Sequence, residues 1–380
     1  MDHGATTPVR EEVLEAILPF FREQYGNPSS LHAQGREVRH AVDQAREVTA
    51  KALGAGPDEI FFTSGGTESN NLALRGSAKK RGSAGHIITS SIEHHAVYDV
   101  CRDLEKEGHK VTYLPVDRYG LVNPNEVEAA ITPDTFIISI MAANNEVGTL
   151  QPVDQIGAIA KKHNILFHTD AVQVVGQLPL DLSKLDVDFL SLSAHKFNGP
   201  KGIGAIYKRK GVRIDPLYRG GGQERKLRPG TENVPGIIGL SRALELSVNE
   251  IPEKKKLLEG LRDQLIQGLL KIEDVVLNGH PELRLPGNVN VSFKYIEGES
   301  VLLSLDLQGI AASSGSACSS GSLEPSHVLS AIGLDHQTSH GSIRFSLGRG
   351  NTEEDVEYVL KNIPPIVDKL RRISPLRKPG

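Results

Sequence analysis

From Glu59 to Tyr207, short apolar runs take turns with longer stretches in which apolar residues recur every three or four positions. The runs Glu59–Thr63, His86–Ser90, Lys110–Pro115, Thr135–Met141, Ile165–His168, Phe189–Ser193 and Ala205–Tyr207 predict strands. The periodic stretches predict helices over Arg10–Phe21, Glu37–Leu53, Ala96–Lys106, Asn125–Ile131 and Val153–His163, with Gly54 ending the second of them. Such alternation predicts a mostly parallel sheet with helices on both faces, because parallel neighbours need a crossover between them. Past the loops Gly220–Gly222 and Arg228–Glu232 the rhythm changes. Helix formers fill Ile237–Ile272, followed by a strand at Asn288–Phe293, a helix at Glu299–Leu307, a Ser/Gly/Ala tract at Ala311–Ser322 and an amphipathic helix at Glu353–Leu370. The expected architecture is α/β, with a large domain over residues 6–253, a smaller C-terminal α+β domain over 254–380, and residues 1–5 packing near the latter.

In sheets of this kind ligands bind beyond the carboxyl ends of the strands. The polar clusters fall there: Glu93-His-His95, Asn144-Asn-Glu146, Asp170-Ala-Val-Gln173 and Ser193-Ala-His-Lys196. Lys196 follows a short strand and leads into a Gly/Pro turn. Desolvation at such a place lowers a lysine's pKa and frees its amine for a Schiff base with a carbonyl cofactor such as pyridoxal 5'-phosphate (PLP); a solvated surface lysine is the alternative. Asp170 closes an apolar strand and either caps the next turn or faces a cation, and beside the pyridine nitrogen of PLP it would keep that nitrogen protonated. Ser64-Gly-Gly-Thr-Glu-Ser69 turns a strand into the helical Asn70–Leu74 segment, so free N–H groups and a helix dipole make an anion cradle. No Gly-Lys-Ser/Thr follows, which excludes a P-loop, and an ordinary capped helix reads equally well. His94 would stack on a ring or move protons; a solvated loop or a weak metal site is the alternative for Glu93-His-His95, although no HExxH or third ligand at diagnostic spacing supports metal.

Charge and cysteine usage narrow the chemistry. With 43 Lys and Arg against 47 Asp and Glu in 380 residues, and no basic runs, nucleic acid and anionic membranes are poor partners and a small substrate is favoured. The absence of a long apolar stretch or a signal-like start predicts a cytoplasmic protein. The two cysteines lack metal-ligand spacing, so any cysteine chemistry belongs to a single thiol. Cys101 shares a helical apolar stripe with Val97, Val100 and Leu104, which predicts burial. Cys318 lies in Ser313-Ser-Gly-Ser-Ala-Cys-Ser-Ser-Gly321, a stretch without periodicity that predicts an exposed and reactive thiol.

An ordered series of motifs carries a resemblance over Asp2–Leu376: Ala5-Thr-Thr-Pro8, Gly26-Asn-Pro-Ser29, Phe62-Thr-Ser-Gly-Gly-Thr-Glu-Ser69, Glu93-His94, Asn144-Asn-Glu-Val-Gly148, His168-Thr-Asp-Ala-Val-Gln173, Ser193-Ala-His-Lys196, Gly220-Gly-Gly-Gln-Glu224, Ser313-Ser-Gly-Ser-Ala-Cys318 and Ser342-Ile-Arg-Phe-Ser-Leu-Gly-Arg349. The chain resembles the PLP-dependent cysteine desulfurases of the NifS/IscS type, in the aminotransferase class V group of fold type I enzymes. The resemblance implies that Lys196 binds PLP covalently, Asp170 pairs with its ring nitrogen, Gln173 and Asn145 address the ring and His94 stacks on it. It implies that the Gly66 backbone, Thr67, Ser193 and His195 hold the phosphate, helped by Thr231 from the other subunit of a homodimer. Arg344, with Asn145, would bind the substrate, the guanidinium clamping its carboxylate. The implied reaction turns L-cysteine into L-alanine and leaves the sulfur as a persulfide on Cys318, for delivery to an iron–sulfur scaffold protein of the IscU/NifU type. Gly66 departs from the pattern, standing where many members carry alanine. A selenocysteine lyase or a class V aminotransferase on the same fold, and a non-catalytic sulfur-trafficking protein, are the rival readings. Cys318 speaks against the aminotransferase, and intact Lys196, Asp170 and His94 against the last.

Overall fold

The computed structural model describes residues 1–314 and 325–375. Seven strands form the larger sheet: β1 (Ile60–Thr63), β2 (His86–Ser90), β3 (Lys110–Leu114), β4 (Thr135–Ser139), β5 (Leu166–Asp170), β6 (Phe189–Ser193) and β7 (Gly204–Lys208), in the order β1-β7-β6-β5-β4-β2-β3. Pairings from β3 through β2, β4 and β5 to β6 are parallel, and β7 is antiparallel to both β6 and β1. Successive residues go to opposite faces. Ile60, Phe62, Ile88, Ile138 and Leu190 join a core with helices Ala33–Leu53, Val153–Lys162 and Val234–Asn249, while Phe61, Ile87, Ile137 and Phe189 join a second core with Gly66–Arg81 and His95–Lys106. Cores on both faces are why most of these strands carry apolar residues at successive positions, whereas the edge strand β3, Lys-Val-Thr-Tyr-Leu, is only partly buried.

A smaller sheet has β8 (Val275–Leu277), β9 (Asn288–Phe293), β10 (Ser313–Ser314) and β11 (Ser342–Ser346), all antiparallel, in the order β10-β11-β9-β8. Its core is shared with helices Ile251–Leu269, Gly298–Asp306 and Glu353–Ile373. Because β10 covers only Ile343 and Arg344, Ser346 is left to bridge Asp2, and the segment 2–5 runs from this sheet to the larger one.

Proline chemistry accounts for two departures from the expected helices. The stretch Arg10–Phe21 is two helices, Glu11–Ile17 and Pro19–Arg22, and Ile237–Ile272 is also two, Val234–Asn249 and Ile251–Leu269. Pro19 and Pro252 sit in the first turn of the second member of each pair, where the missing N–H costs nothing. The helix expected at Asn70–Leu74 spans Gly66–Arg81, entered through Gly65 at φ 155°, a conformation side chains rarely adopt. Among the described residues no helix is long and apolar enough to cross a membrane.

Candidate functional site

A cleft of about 380 Å³ opens where the carboxyl ends of the parallel strands meet the smaller sheet. His94 follows β2, Asn145 follows β4, Asp170 ends β5, Ser193 ends β6, and His195 and Lys196 occupy the one-turn helix Ala194–Lys196 directly after β6. Gly66 and Thr67 enter from the helix start, Gln173 from the turn after β5, and Arg344 from β11. Ten of the residues singled out in the sequence thus share one cavity. Thr231 does not: it lines a separate cleft with Arg228, Gly230 and Asn233. Cys318 lies outside the described residues.

The Lys196 Nζ donates to the carbonyl oxygens of Gly4 (2.5 Å) and Ala5 (2.9 Å). Asp170, only 6% exposed, accepts from Asn70 Nδ2 at 2.6 Å and from the Val172 N–H at 3.0 Å. His94 caps helix His95–Lys106, its Nδ1 accepting the Ala96 N–H at 3.1 Å. That acceptor role needs an unprotonated Nδ1, in keeping with burial, which lowers the ring's pKa against the opposing pull of Asp170. Burial, helped by the charges of Lys196 and Lys201, brings His195 down to about 4, so near neutrality it offers a neutral ring. Arg344 is 2% exposed; its Nη1 donates to the Asn145 carbonyl at 2.9 Å and its Nη2 to Asp2 at 3.3 Å.

The cavity has features a planar, anionic ligand with a carbonyl and a basic ring nitrogen would use. The first N–H groups of helix Gly66–Arg81 have no partner within the helix and face a cleft lined by Thr67, Ser193, His195 and Lys201. A Cβ on Gly65 would meet nothing closer than Ser193 Oγ at 3.7 Å, so this cradle is open. Buried Asn145 Oδ1 and Arg344 Nε have no hydrogen-bond partner among the described residues. At Gly66 a Cβ would approach Val172 Cγ2 to 2.7 Å, so alanine would require Val172 to move.

Two participants, Asn70 and the carbonyl pair of Gly4 and Ala5, escaped the sequence reading, and a third, Glu93, has a setting that reading did not show. Asn70 stands one turn inside a helix and looked like any polar helical residue. The Gly4 and Ala5 carbonyls are backbone groups without a side-chain signature. Glu93, read as part of a histidine cluster, is wholly buried: its Oε1 accepts from Ser90 Oγ (2.6 Å) and the Met141 N–H (3.0 Å), and its Oε2 has no partner among the described residues. Among the described residues there is also no group of three His, Cys, Asp or Glu side chains that would hold a metal.

Burial pushes the Glu93 carboxyl from 4.5 up to about 8, with the negative charge of Asp170 adding to the effect. Between those values the folded chain keeps a proton that the unfolded chain has lost. Stability is therefore greatest below the unfolded pKa and declines as pH rises toward the folded one. Glu146, raised to about 7 by burial, slopes the same way. The Glu93→Gln variant should lose less stability than the parent between about pH 5 and 8, melting higher at pH 8 by roughly 2–4 °C per kcal/mol recovered. Parallel melting curves for the two proteins would show instead that Glu93 is ionised in the fold.

The chain matches the aminotransferase class-V family over residues 1–359. It is 60% identical over 377 residues to the cysteine desulfurase IscS of Methanosarcina thermophila, covering 99% of this chain and 93% of that one. Identity is 56% over 380 residues to the cysteine desulfurase IscS of Dictyoglomus turgidum, covering 100% and 96%. Among solved structures, a NifS-like protein superposes with a TM-score of 0.92 at 47% identity, covering 97% of this chain and 99% of that one. SspA, solved in complex with cysteine, gives a TM-score of 0.82 at 41% identity, covering 91% and 97%.

Proposed function

The chain belongs to the aminotransferase class-V family and within it to the cysteine desulfurases, and on that footing we propose that the cleft around Lys196 converts L-cysteine to L-alanine, with Cys318 as the sulfur acceptor. The convergence of Lys196, Asp170, His94 and Arg344 on one small cavity is the observation that carries this reading. The family depends on PLP. When bound, PLP supplies a carbonyl that condenses with amines and a pyridinium ring that withdraws electrons from the α-carbon of an amino acid.

Lys196 would hold it covalently, Asp170 its ring nitrogen, and Asn145 and Gln173 its ring substituents, with His94 lying against its face. The open N–H groups at Gly66, together with Thr67, Ser193 and His195, would take the phosphate. The buried guanidinium of Arg344 fits the substrate carboxylate, which would satisfy the Nε that has no hydrogen-bond partner among the described residues. Once the amino group of the substrate has displaced it, the Lys196 amine would be free to take up the substrate α-proton in the same cavity. The Cys318 thiolate attacks the substrate sulfur: an S–S bond forms, the Cβ–S bond breaks, and protons delivered to the carbon skeleton complete alanine. The balance is one cysteine and one protein thiol in, one alanine and one protein persulfide out.

Thr231 lies away from its own chain's cleft. We assign it to the phosphate site of a second copy in a homodimer. The persulfide then passes to an acceptor, which we take to be an iron–sulfur scaffold protein of the IscU/NifU type, in the cytoplasm. Purified protein supplied with PLP should release alanine from L-cysteine in step with persulfide or, with a thiol reductant, sulfide, and should sediment as a dimer. A fully active monomer would rule out the shared site, and absence of alanine would rule out the reaction.

A further inference from the structure

Asp170 is held on two sides. One is its own turn, through the Val172 N–H on Oδ1; the other is helix Gly66–Arg81, through Asn70 Nδ2 on Oδ2 at 2.6 Å. Asn70 is 1% exposed, lines the same cleft, and its Oδ1 is buried without a hydrogen-bond partner among the described residues. The amide has one workable orientation, because the reverse would set its oxygen against a carboxylate oxygen at that separation. An unpartnered buried carbonyl is a cost that a merely structural asparagine avoids, and here it accompanies a donor aimed at Asp170, the one carboxylate lining the cleft among the described residues.

Charge explains the choice of side chain. Glu93 and His94 feel the Asp170 charge, and His195, Lys196 and Arg344 line the same cleft. An amide contributes a hydrogen bond to a carboxylate but has no proton to give it and none to lose as pH changes. We propose that Asn70 is a positioning residue that fixes the orientation of the Asp170 carboxylate and keeps it an acceptor for a protonated ring nitrogen across the working pH range. This rests on the reading of the cleft as a PLP site.

The test titrates apoprotein with PLP and follows affinity and the visible spectrum of the bound cofactor against pH. Asn70→Leu keeps the volume and removes the donor. It should bind PLP about ten- to a hundredfold more weakly, the loss that follows deletion of one hydrogen bond to a charged group. Asn70→Asp keeps the shape and brings a second carboxyl to Asp170, and such a pair shares a proton until pH is high enough to ionise both. While the shared proton is present the variant should behave like the parent, since an O–H replaces the N–H. Once the proton is lost, affinity and spectrum should diverge in a titration that the parent lacks. Circular dichroism of the apoproteins checks that the variants are folded, and should Asn70→Leu not fold, the Asn70→Asp titration decides alone. Parent-like affinity in folded Asn70→Leu, or a parent-like profile for Asn70→Asp at every pH, overturns the inference. A parent that binds no PLP overturns the cofactor reading itself, which separates the two failures.

Discussion

Cys318→Ser should bind PLP and L-cysteine as the parent does, yet form alanine at least about a thousandfold more slowly, the scale on which loss of a nucleophile acts. Neither binding step uses this side chain. A serine hydroxyl is hardly ionised near neutral pH and attacks divalent sulfur poorly, whereas a thiol of pKa about 8.5 is already a few per cent thiolate. The other cysteine serves as the control. Cys101 has no solvent exposure, packs among Val97, Val100 and Leu104, and burial pushes its thiol far above the usual range. Cys101→Ser should therefore cost about 1 kcal/mol of stability and leave turnover nearly intact. Alanine release and mass-spectrometric mapping of the persulfide in both variants give the answer. Near-normal turnover in Cys318→Ser, or a persulfide on Cys101, would move the reaction to a lyase or aminotransferase that uses no protein thiol.

Lys196→Ala should be the second severe loss. Two carbonyl oxygens, from Gly4 and Ala5, hold the amine at the mouth of the Asp170 cavity. Among the described residues no other lysine lines that cavity. The purified parent should be yellow, and borohydride should fix the cofactor on one peptide containing Lys196. The variant should retain PLP only by its phosphate and ring contacts, lose it on dialysis, and show no measurable turnover. Reduced cofactor recovered on a different lysine, Lys201 for example, would refute the assignment.

Most strands of the larger sheet were legible because an apolar core covers each face, so that even β6, Phe-Leu-Ser-Leu-Ser, places its large residues on both sides. Of the smaller sheet, β9 was read at Asn288–Phe293, whereas β8, β10 and β11 were not. β11 reads Ser-Ile-Arg-Phe-Ser, and its polar members are nonetheless buried: Ser346 Oγ accepts the Gly4 N–H, and Arg344 spans from Asn145 to Asp2. Alternation that looks half-solvated is here filled on its polar side by another part of the chain. β8 has only three residues, all half-buried, and helices His327–Ala331 and His336–His340 are too short for periodicity. Their caps, Ser326 and Asp335, were the available signal. Site residues at strand ends could be found because topology dictates where they meet. Asn70 could not, since its role depends on which helix face looks at Asp170.

The segment from Asp2 to Ala5 has a consequence for folding. Gly4 is bonded to Ser346, 342 positions later, and its carbonyl accepts from Lys196, 192 positions later. These contacts close only when segments 342 and 192 positions apart along the chain come together. Closure of so long a loop is a late and slow event. The carbonyl pair that receives the Lys196 amine should thus be among the last parts of the cavity to close when the unfolded chain refolds.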